Sequence, residues 1–441
     1  ALATMAMGDK NATTFAQVGH VALLRRHGAM DPARMITYRG LPPAGKVWEG
    51  VMIDDRALFA AVPRLRWHSS AAGQLARDTF AAGNRAYASI GVDDVPDKRK
   101  EGARDAVVWG CELQGRRGRA GGARAKRAAL AALTLDLCGG RVVTQALLSR
   151  VVGLWADLLL YRRAAFAVLG SKYRFLQRYG GEPDAVRTLP GPVVSELLGL
   201  ACLAPLLDSP LRAPVATRLL ASDASPSGAA AGYSDIPQAA AEVLWRHRIR
   251  SGWRAHPLGE PGNTRGDSAV GDLVEGLPFR ELLRFRFGNR RPPHITVGEC
   301  RSRRALWRTL VQDPAAHATR HLVVYDYAAT IGAGNKGRSP SDALLREARF
   351  TYPLILAADC VEGTLWCDSE RMPMDSPSRQ GPLPTPAPQR DWAAAFLAGD
   401  AQAWEARYAA SPASAPRATV VPDPSTHRAA SDPTCHDPTV G

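Results

Sequence analysis

VATRLLASDASPSGAAAGYS, residues 215–234, decides the fold. An apolar run ends in Asp223, crosses a Ser225-Pro226-Ser227-Gly228 turn and resumes as a second run of small residues. Proline and glycine between two strand-compatible runs predict a β-hairpin with a carboxylate at the end of its first strand. Three more acids occupy comparable places downstream. Glu299 follows the β-prone stretch HITV (294–297) and precedes RSRRALWRTLVQ (301–312), where Ala305, Leu306, Leu310 and Val311 recur at helical spacing. That places Glu299 in the first turn of a helix. Asp326 ends the strand-like HLVVYD (321–326), and Asp375 lies in MPMDSPSR (372–379), after the strand-like VEGTLWC (361–367) and at the start of a short helix or turn. Strands and helices alternating in this way predict an α/β fold.

A single strand-end carboxylate means little in a chain with 42 acidic residues, because strand ends and helix starts favour such groups anyway. The ordered set of strand aspartate, helix glutamate, strand aspartate and late aspartate is much harder to reach by accident. Its chemistry is that of a phosphodiester hydrolase working with two divalent cations, held roughly 4 Å apart with positions left open for phosphate and water. Magnesium suits such a set because it prefers oxygen ligands and keeps several waters, with manganese as the alternative.

Residues 215–380 resemble the ribonuclease H domain of a retroelement polyprotein. LWCDSERMPMDSPSR (365–379) is similar to the Trp-Ser-Glu-Asn-Pro-Ala-Asp-Ala-Pro-Ser-Arg signature of retrotransposons related to the tyrosine-recombinase class. The resemblance implies that Asp223, Glu299, Asp326 and Asp375 are the catalytic metal ligands. Arg371 and Met372 depart from the signature, Met374 replaces its alanine, and residues 238–290 are expected as an insertion between the second and third strands. Upstream, GVMIDDRALFA (50–60) resembles the reverse-transcriptase hairpin that carries two adjacent aspartates, which implies a metal role for Asp54 and Asp55. AMGDKNATTFAQVGHVALLRRHG (6–28) resembles the palm helix of such enzymes, mapping a nucleotide-side glycine to Gly8 and a substrate-side residue to Gln17. KRKEGARDAVVWGCELQG (98–115) resembles the lysine-bearing turn and primer-gripping hairpin, which maps those roles to Lys98 or Lys100 and to Trp109, Gly110 and Cys111. A palm of this kind needs a further aspartate on an earlier strand. Because only seven residues precede Gly8, the polymerase is expected to be incomplete and N-terminally truncated, with the fingers and that aspartate on an upstream segment or another chain.

Charge agrees with a nucleic-acid partner. The chain carries a net +14, concentrated in GRRGRAGGARAKRAAL (115–130) with Arg116, Arg117, Arg119, Arg124, Lys126 and Arg127, and in YRRAAFAVLGSKYRFLQR (161–178), where Arg162, Lys172 and Arg174 alternate with aromatic residues. Arginines track phosphates and aromatics stack on bases; the other reading is a solvated face of a helical bundle. Lys336 and Arg338, in the glycine-rich stretch after Asp326, are expected on phosphates too.

The expected organisation is a palm remnant over 1–113, a helical thumb and connection over 114–210, a ribonuclease H-like mixed sheet with flanking helices over 211–380, and a mostly disordered Pro/Ala-rich tail over 381–441 with one helical patch. Seven cysteines without a C-x-x-C pair indicate neither a zinc site nor a disulfide framework, so an intracellular location, cytoplasmic or nuclear, is expected. The apolar stretch 151–160 is interrupted by Asp157 and too short to span a bilayer. Two functions follow: hydrolysis of the RNA strand of an RNA–DNA hybrid, or nucleic-acid binding by an inactive remnant of a decayed retroelement.

Overall fold

The computed structural model describes residues 12–37, 40–63, 65–92, 99–179, 181–249, 269–288 and 293–409. It is a mixed α/β structure. The strands of its largest sheet are numbered along the chain as β1 (Val215–Ala224), β2 (Gly228–Asp235), β3 (Arg280–Arg286), β4 (Arg320–Tyr325) and β5 (Val361–Trp366). Their spatial order is β3-β2-β1-β4-β5. The first three are antiparallel neighbours, whereas β4 runs parallel to both β1 and β5. The central strand β1 is buried along its last six residues, as a strand covered on both faces must be.

Among the described residues, eight helices accompany this sheet: α1 (Gln238–His247), α2 (Ala269–Glu275), α3 (Ile295–Leu310), α4 (Ala328–Lys336), α5 (Asp342–Ala357), α6 (Asp375–Ser378), α7 (Asp391–Leu397) and α8 (Ala401–Ala409). One face packs Leu219, Ala221, Leu322 and Val324 against Leu244 of α1, Leu273 of α2, Phe396 of α7 and Trp404 of α8. The other sets Leu220 and Val323 against Leu306 of α3 and Ile331 of α4. The helical patch of the tail is thus docked, with Phe396 and Trp404 fully buried.

Two boundaries differ from expectation. HITV is not a strand: His294 caps α3, its Nδ1 accepting the Thr296 N–H at 3.3 Å, and the chain turns helical at Ile295. Glu299 accordingly falls in the second turn. The third strand lies inside the segment expected as an insertion, because Arg280–Arg286 pairs with β2 along the sheet edge. Edge strands carry charge to discourage pairing with other chains, and this one has no inside–outside alternation, its middle residues being half-buried in succession.

Upstream, a hairpin of Val47–Met52 and Asp55–Ala60 packs against helices Ala12–Arg26 and Ala71–Ala88. A four-stranded sheet joins Asp105–Val108, Cys111–Gln114, Arg119–Gly122 and Asp208–Pro210. The expected boundary at 113/114 therefore cuts through a strand, and the region expected as helices opens and closes on strands, enclosing helices 124–140, 145–159, 171–178 and 191–203.

Candidate metal centre

Three of the expected ligands meet. Oxygen atoms of Asp223, Glu299 and Asp326 all lie within 4.8 Å of one another, and no other such group of ligating side chains occurs among the described residues. Sheet register explains the first pair. In the parallel pairing of β1 with β4, Val324 stands opposite Ala221, so two residues further along Asp326 comes level with Asp223. A bulge earlier in the pairing takes up two extra residues on β1, since Arg320 faces Val215 but Leu322 faces Leu219. An even shift keeps every later side chain on its own face.

Helix α3 supplies the third carboxylate. Glu299, Ser302, Arg303, Leu306 and Trp307 are all buried, a stripe at i, i+3, i+4, i+7 and i+8 that faces the sheet. Ser302 ties the helix down, donating to the carbonyl of Asp223 at 2.9 Å and sharing a 2.7 Å bond with Ser222. One turn deeper, Arg303 and Trp307 both bond Glu362 of β5. Rotation of α3 about its axis is thereby prevented, and Glu299 is held with one oxygen accepting the Ala224 N–H at 3.1 Å.

The remaining oxygens lack partners. Oδ2 of Asp223, Oε2 of Glu299 and Oδ1 of Asp326 are buried and make no hydrogen bond. Buried acceptors are rarely left so, and three of them facing one another suit a hard cation that takes oxygen ligands. These residues can therefore hold a metal ion. Without one, burial pushes the Asp223 and Glu299 carboxyls well above the usual range; the neighbouring Asp326 adds to the rise at Asp223, as do Asp223 and Asp326 at Glu299. Burial raises Asp326 too, opposed by a hydrogen bond from Ser369.

Asp375 stands beside this trio. It opens α6 and its charge acts on both Asp223 and Asp326, but its own carboxylate is occupied by Arg379. The departures from the signature around it are explained by packing. Met374 is fully buried and fills the space over Gly232, where a Cβ would come within 2.8 Å of the Met374 methyl. Arg371 pairs with Asp368 and with Asp272 of α2, within the segment expected as an insertion. Local sequence did not reveal this link, because Asp272 lies 99 positions from Arg371.

The Asp54–Asp55 pair lies at a hairpin. Met52 faces Asp55, so Ile53 and Asp54 form the turn, with Ile53 at φ 55°. A β-branched residue is strained there. Gln17 and His20 hold it: Gln17 accepts the Ile53 N–H at 2.6 Å and donates to Val51 O at 3.1 Å, while His20 Nδ1 lies 2.8 Å from Ile53 O. Gln17 thus braces the hairpin through both ends of its amide. Both aspartates are exposed, and neither joins a third ligating side chain among the described residues. Trp109 and Gly110 form a two-residue turn at φ 50° and 76°, the left-handed pairing that suits a tight hairpin. The Trp109 ring packs edge-on against Phe59 of the aspartate hairpin. Gly8 and Lys98 lie outside the described residues.

Burial divides the basic residues. Arg119 is spent on Asp208 and Asp359, Arg127 is buried on the carbonyls of Ala204 and Pro205, and Arg162 is buried against Asp359. Lys172 is fully buried, and that burial pulls its amine down to about 7. None of the four can reach a phosphate, which corrects the expectation for Arg119, Arg127, Arg162 and Lys172. Arg116, Arg117, Arg124, Lys126, Arg174, Lys336 and Arg338 remain on or near the surface, although Arg116, Arg124, Lys126 and Arg174 pair with Asp105, Glu112, Asp157 and Asp342.

No family model and no curated protein matches this chain. Among solved structures it is similar to one described as the foamy viral protease-reverse transcriptase in complex with RNA/DNA hybrid, at 10% identity and a TM-score of 0.30, covering 86% of this chain and 62% of that one. The chain thus spans less than two thirds of the length of that protein. Among the described residues, no helix is long and apolar enough to cross a membrane.

Proposed function

We propose that the chain hydrolyses the RNA strand of RNA–DNA hybrids in the manner of a ribonuclease H, with Asp223, Glu299, Asp326 and Asp375 as ligands for two magnesium or manganese ions. What carries this assignment is the meeting of Asp223, Glu299 and Asp326 with an unpaired buried oxygen on each. The sheet supports it: three antiparallel strands followed by two parallel ones put acids at the ends of the first and fourth strands and on the helix between the third and fourth. When bound, the ions neutralise the scissile phosphate and acidify a water for attack.

The protein's own contribution is to keep the ligands fixed and under-neutralised. Ala224 N–H anchors one oxygen of Glu299 and leaves the other facing Asp223 and Asp326, while Ser302 joins α3 to β1 so that the cluster keeps its spacing. Raised proton affinity makes ion uptake release protons, so half-saturation should require less magnesium as pH rises. Exposed Arg116, Arg117 and Lys336 supply phosphate contacts, and 2′-hydroxyls distinguish RNA from DNA.

The test is cleavage of an end-labelled hybrid across magnesium and manganese titrations by the wild type and by D326N. That substitution keeps size but removes a charge the ions need, so cutting should fall by roughly a hundredfold or more while hybrid binding stays within about twofold. A wild-type chain that binds hybrid and never cuts it, at any concentration of either ion, belongs to the inactive binding class instead.

A further inference from the structure

Arg379 lies one turn beyond Asp375 and takes its carboxylate in a fork: Nε reaches both oxygens at 3.1 Å and Nη2 reaches Oδ1 at 2.9 Å. The pair is open to solvent, with the Arg379 side chain 61% and the Asp375 side chain 35% exposed. After Asp375, the charges that act on this guanidinium are Asp223 and Asp326. Nearby arginines are committed elsewhere, Arg371 to Asp368 and Asp272 and Arg284 to Glu281 and the Gly381 carbonyl. Among the described residues, Arg379 is therefore the cation set against the carboxylate cluster.

Two demands meet on the same carboxylate. A second divalent ion beside Asp223 and Asp326 would call on Asp375, and Asp375 is already bonded to Arg379. We infer that Arg379 is the resident counterion of the second ion position, holding Asp375 until a second divalent cation enters and then giving it up. This rests on the two-ion reading above. The pair is built for exchange. An exposed ion pair is weak and screened by salt, and an i,i+4 link on one helical turn lets the long arginine side chain swing away while the backbone of α6 stays in place. Meanwhile, among the described residues, the carboxylates of Asp223, Glu299 and Asp326 show no cationic hydrogen-bond partner of their own, so the first ion meets no such competitor there.

Manganese binding to the full chain tests this without reference to turnover. Free Mn2+ is followed by paramagnetic resonance and bound Mn2+ by calorimetry, for the wild type, R379A, R379K, D375N, the double variant D375N/R379A and D223N, with circular-dichroism melting to establish that each is folded. The wild type should show a tighter and a weaker class of site. R379A should tighten the weaker class by roughly three- to fivefold, the scale of one exposed ion pair, and leave the tighter class unchanged, with R379K in between. D375N should remove the weaker class in either arginine background. A weaker class that is unchanged or loosened in R379A overturns the inference and leaves the two-ion reading standing. A wild-type chain that binds no Mn2+ in the millimolar range, or binding that survives D223N intact, overturns the two-ion reading and this inference with it.

Discussion

Neighbouring buried carboxylates repel one another and have lost the water that would stabilise their charge, so each keeps its proton more tightly than it would in the unfolded chain. Unfolded, they titrate near about 4. Folded, Asp223 titrates near 7 and Glu299 above its usual range. Between these values the native state binds more protons than the unfolded one, and stability must fall as pH rises through that window, by up to about 1.4 kcal/mol per pH unit for each proton. We expect the urea midpoint of the chelator-treated wild type, measured relative to D223N, to drop between pH 5 and pH 8, and magnesium to cancel the drop. A difference that is flat or rising in chelator would contradict the raised affinities. Lys172 has the opposite sign. Its folded-state value near 7 lies below the ordinary lysine value, so the unfolded chain binds the extra proton and stability rises with pH from about 7 toward 10. K172M should therefore stabilise the chain most at and below pH 7, with the gain vanishing near pH 10; a gain independent of pH would point to packing alone.

At the scale of elements, the loop before α6 is secured from a distance. Asp272 on α2 is fully buried and receives Arg371 from that loop, Arg390 from the start of α7 and Arg407 from α8. One carboxylate thereby joins α2, the tail helices and the segment that delivers Asp375. Removing one partner from a buried charge cluster leaves the others uncompensated, at a cost of about 3 kcal/mol or more. D272N should lower the urea midpoint accordingly and expose residues 391–409 to proteolysis before global unfolding. A substitution that changes the midpoint by less than about 0.5 kcal/mol, the range of ordinary surface positions, would mean that the three arginines find other partners. The same loop explains why Met374 is accepted: Gly232 leaves room for it. G232A should strain that contact and cost about 1–3 kcal/mol, the usual penalty of overpacking, which a chemical melt reads directly.

At the scale of the whole molecule, part of the basic charge holds the fold together. Arg119 and Arg162 converge on Asp359, the turn residue between α5 and β5. Arg119 also pairs with Asp208, and Arg127 lies 3.8 Å from it. This joint ties the four-stranded sheet to the five-stranded one, so its arginines belong to folding. Exposed Arg116, Arg117 and Lys336 are the cations left for the proposed phosphate contacts. If Arg116, Arg117 and Lys336 contact phosphates, replacing each by glutamine should lower the slope of log affinity against log salt by about one, with little change in sequence preference. Fluorescence anisotropy with a labelled hybrid between 50 and 200 mM salt, an experimental range set by the known steepness of such binding, measures the slope. An unchanged slope in all three variants would place the phosphate path elsewhere.

The sequence alone determined what local periodicity encodes. The hairpin at 215–234, the strand ending at Asp326, the helix bearing Glu299 and the short helix opening at Asp375 all follow from alternation, turn residues and helical spacing, which act over a few residues through backbone sterics and side-chain direction. Tertiary structure decided the rest. The register that brings Asp326 level with Asp223 joins segments about a hundred residues apart and is set by which apolar side chains bury together. The charged edge strand Arg280–Arg286 is a strand because β2 pairs with it, not because its own pattern demands it. Whether an arginine or lysine meets water, a carboxylate or apolar side chains, as at Arg117, Arg119 and Lys172, depends on neighbours brought up by the fold, and burial is a property that no single segment carries.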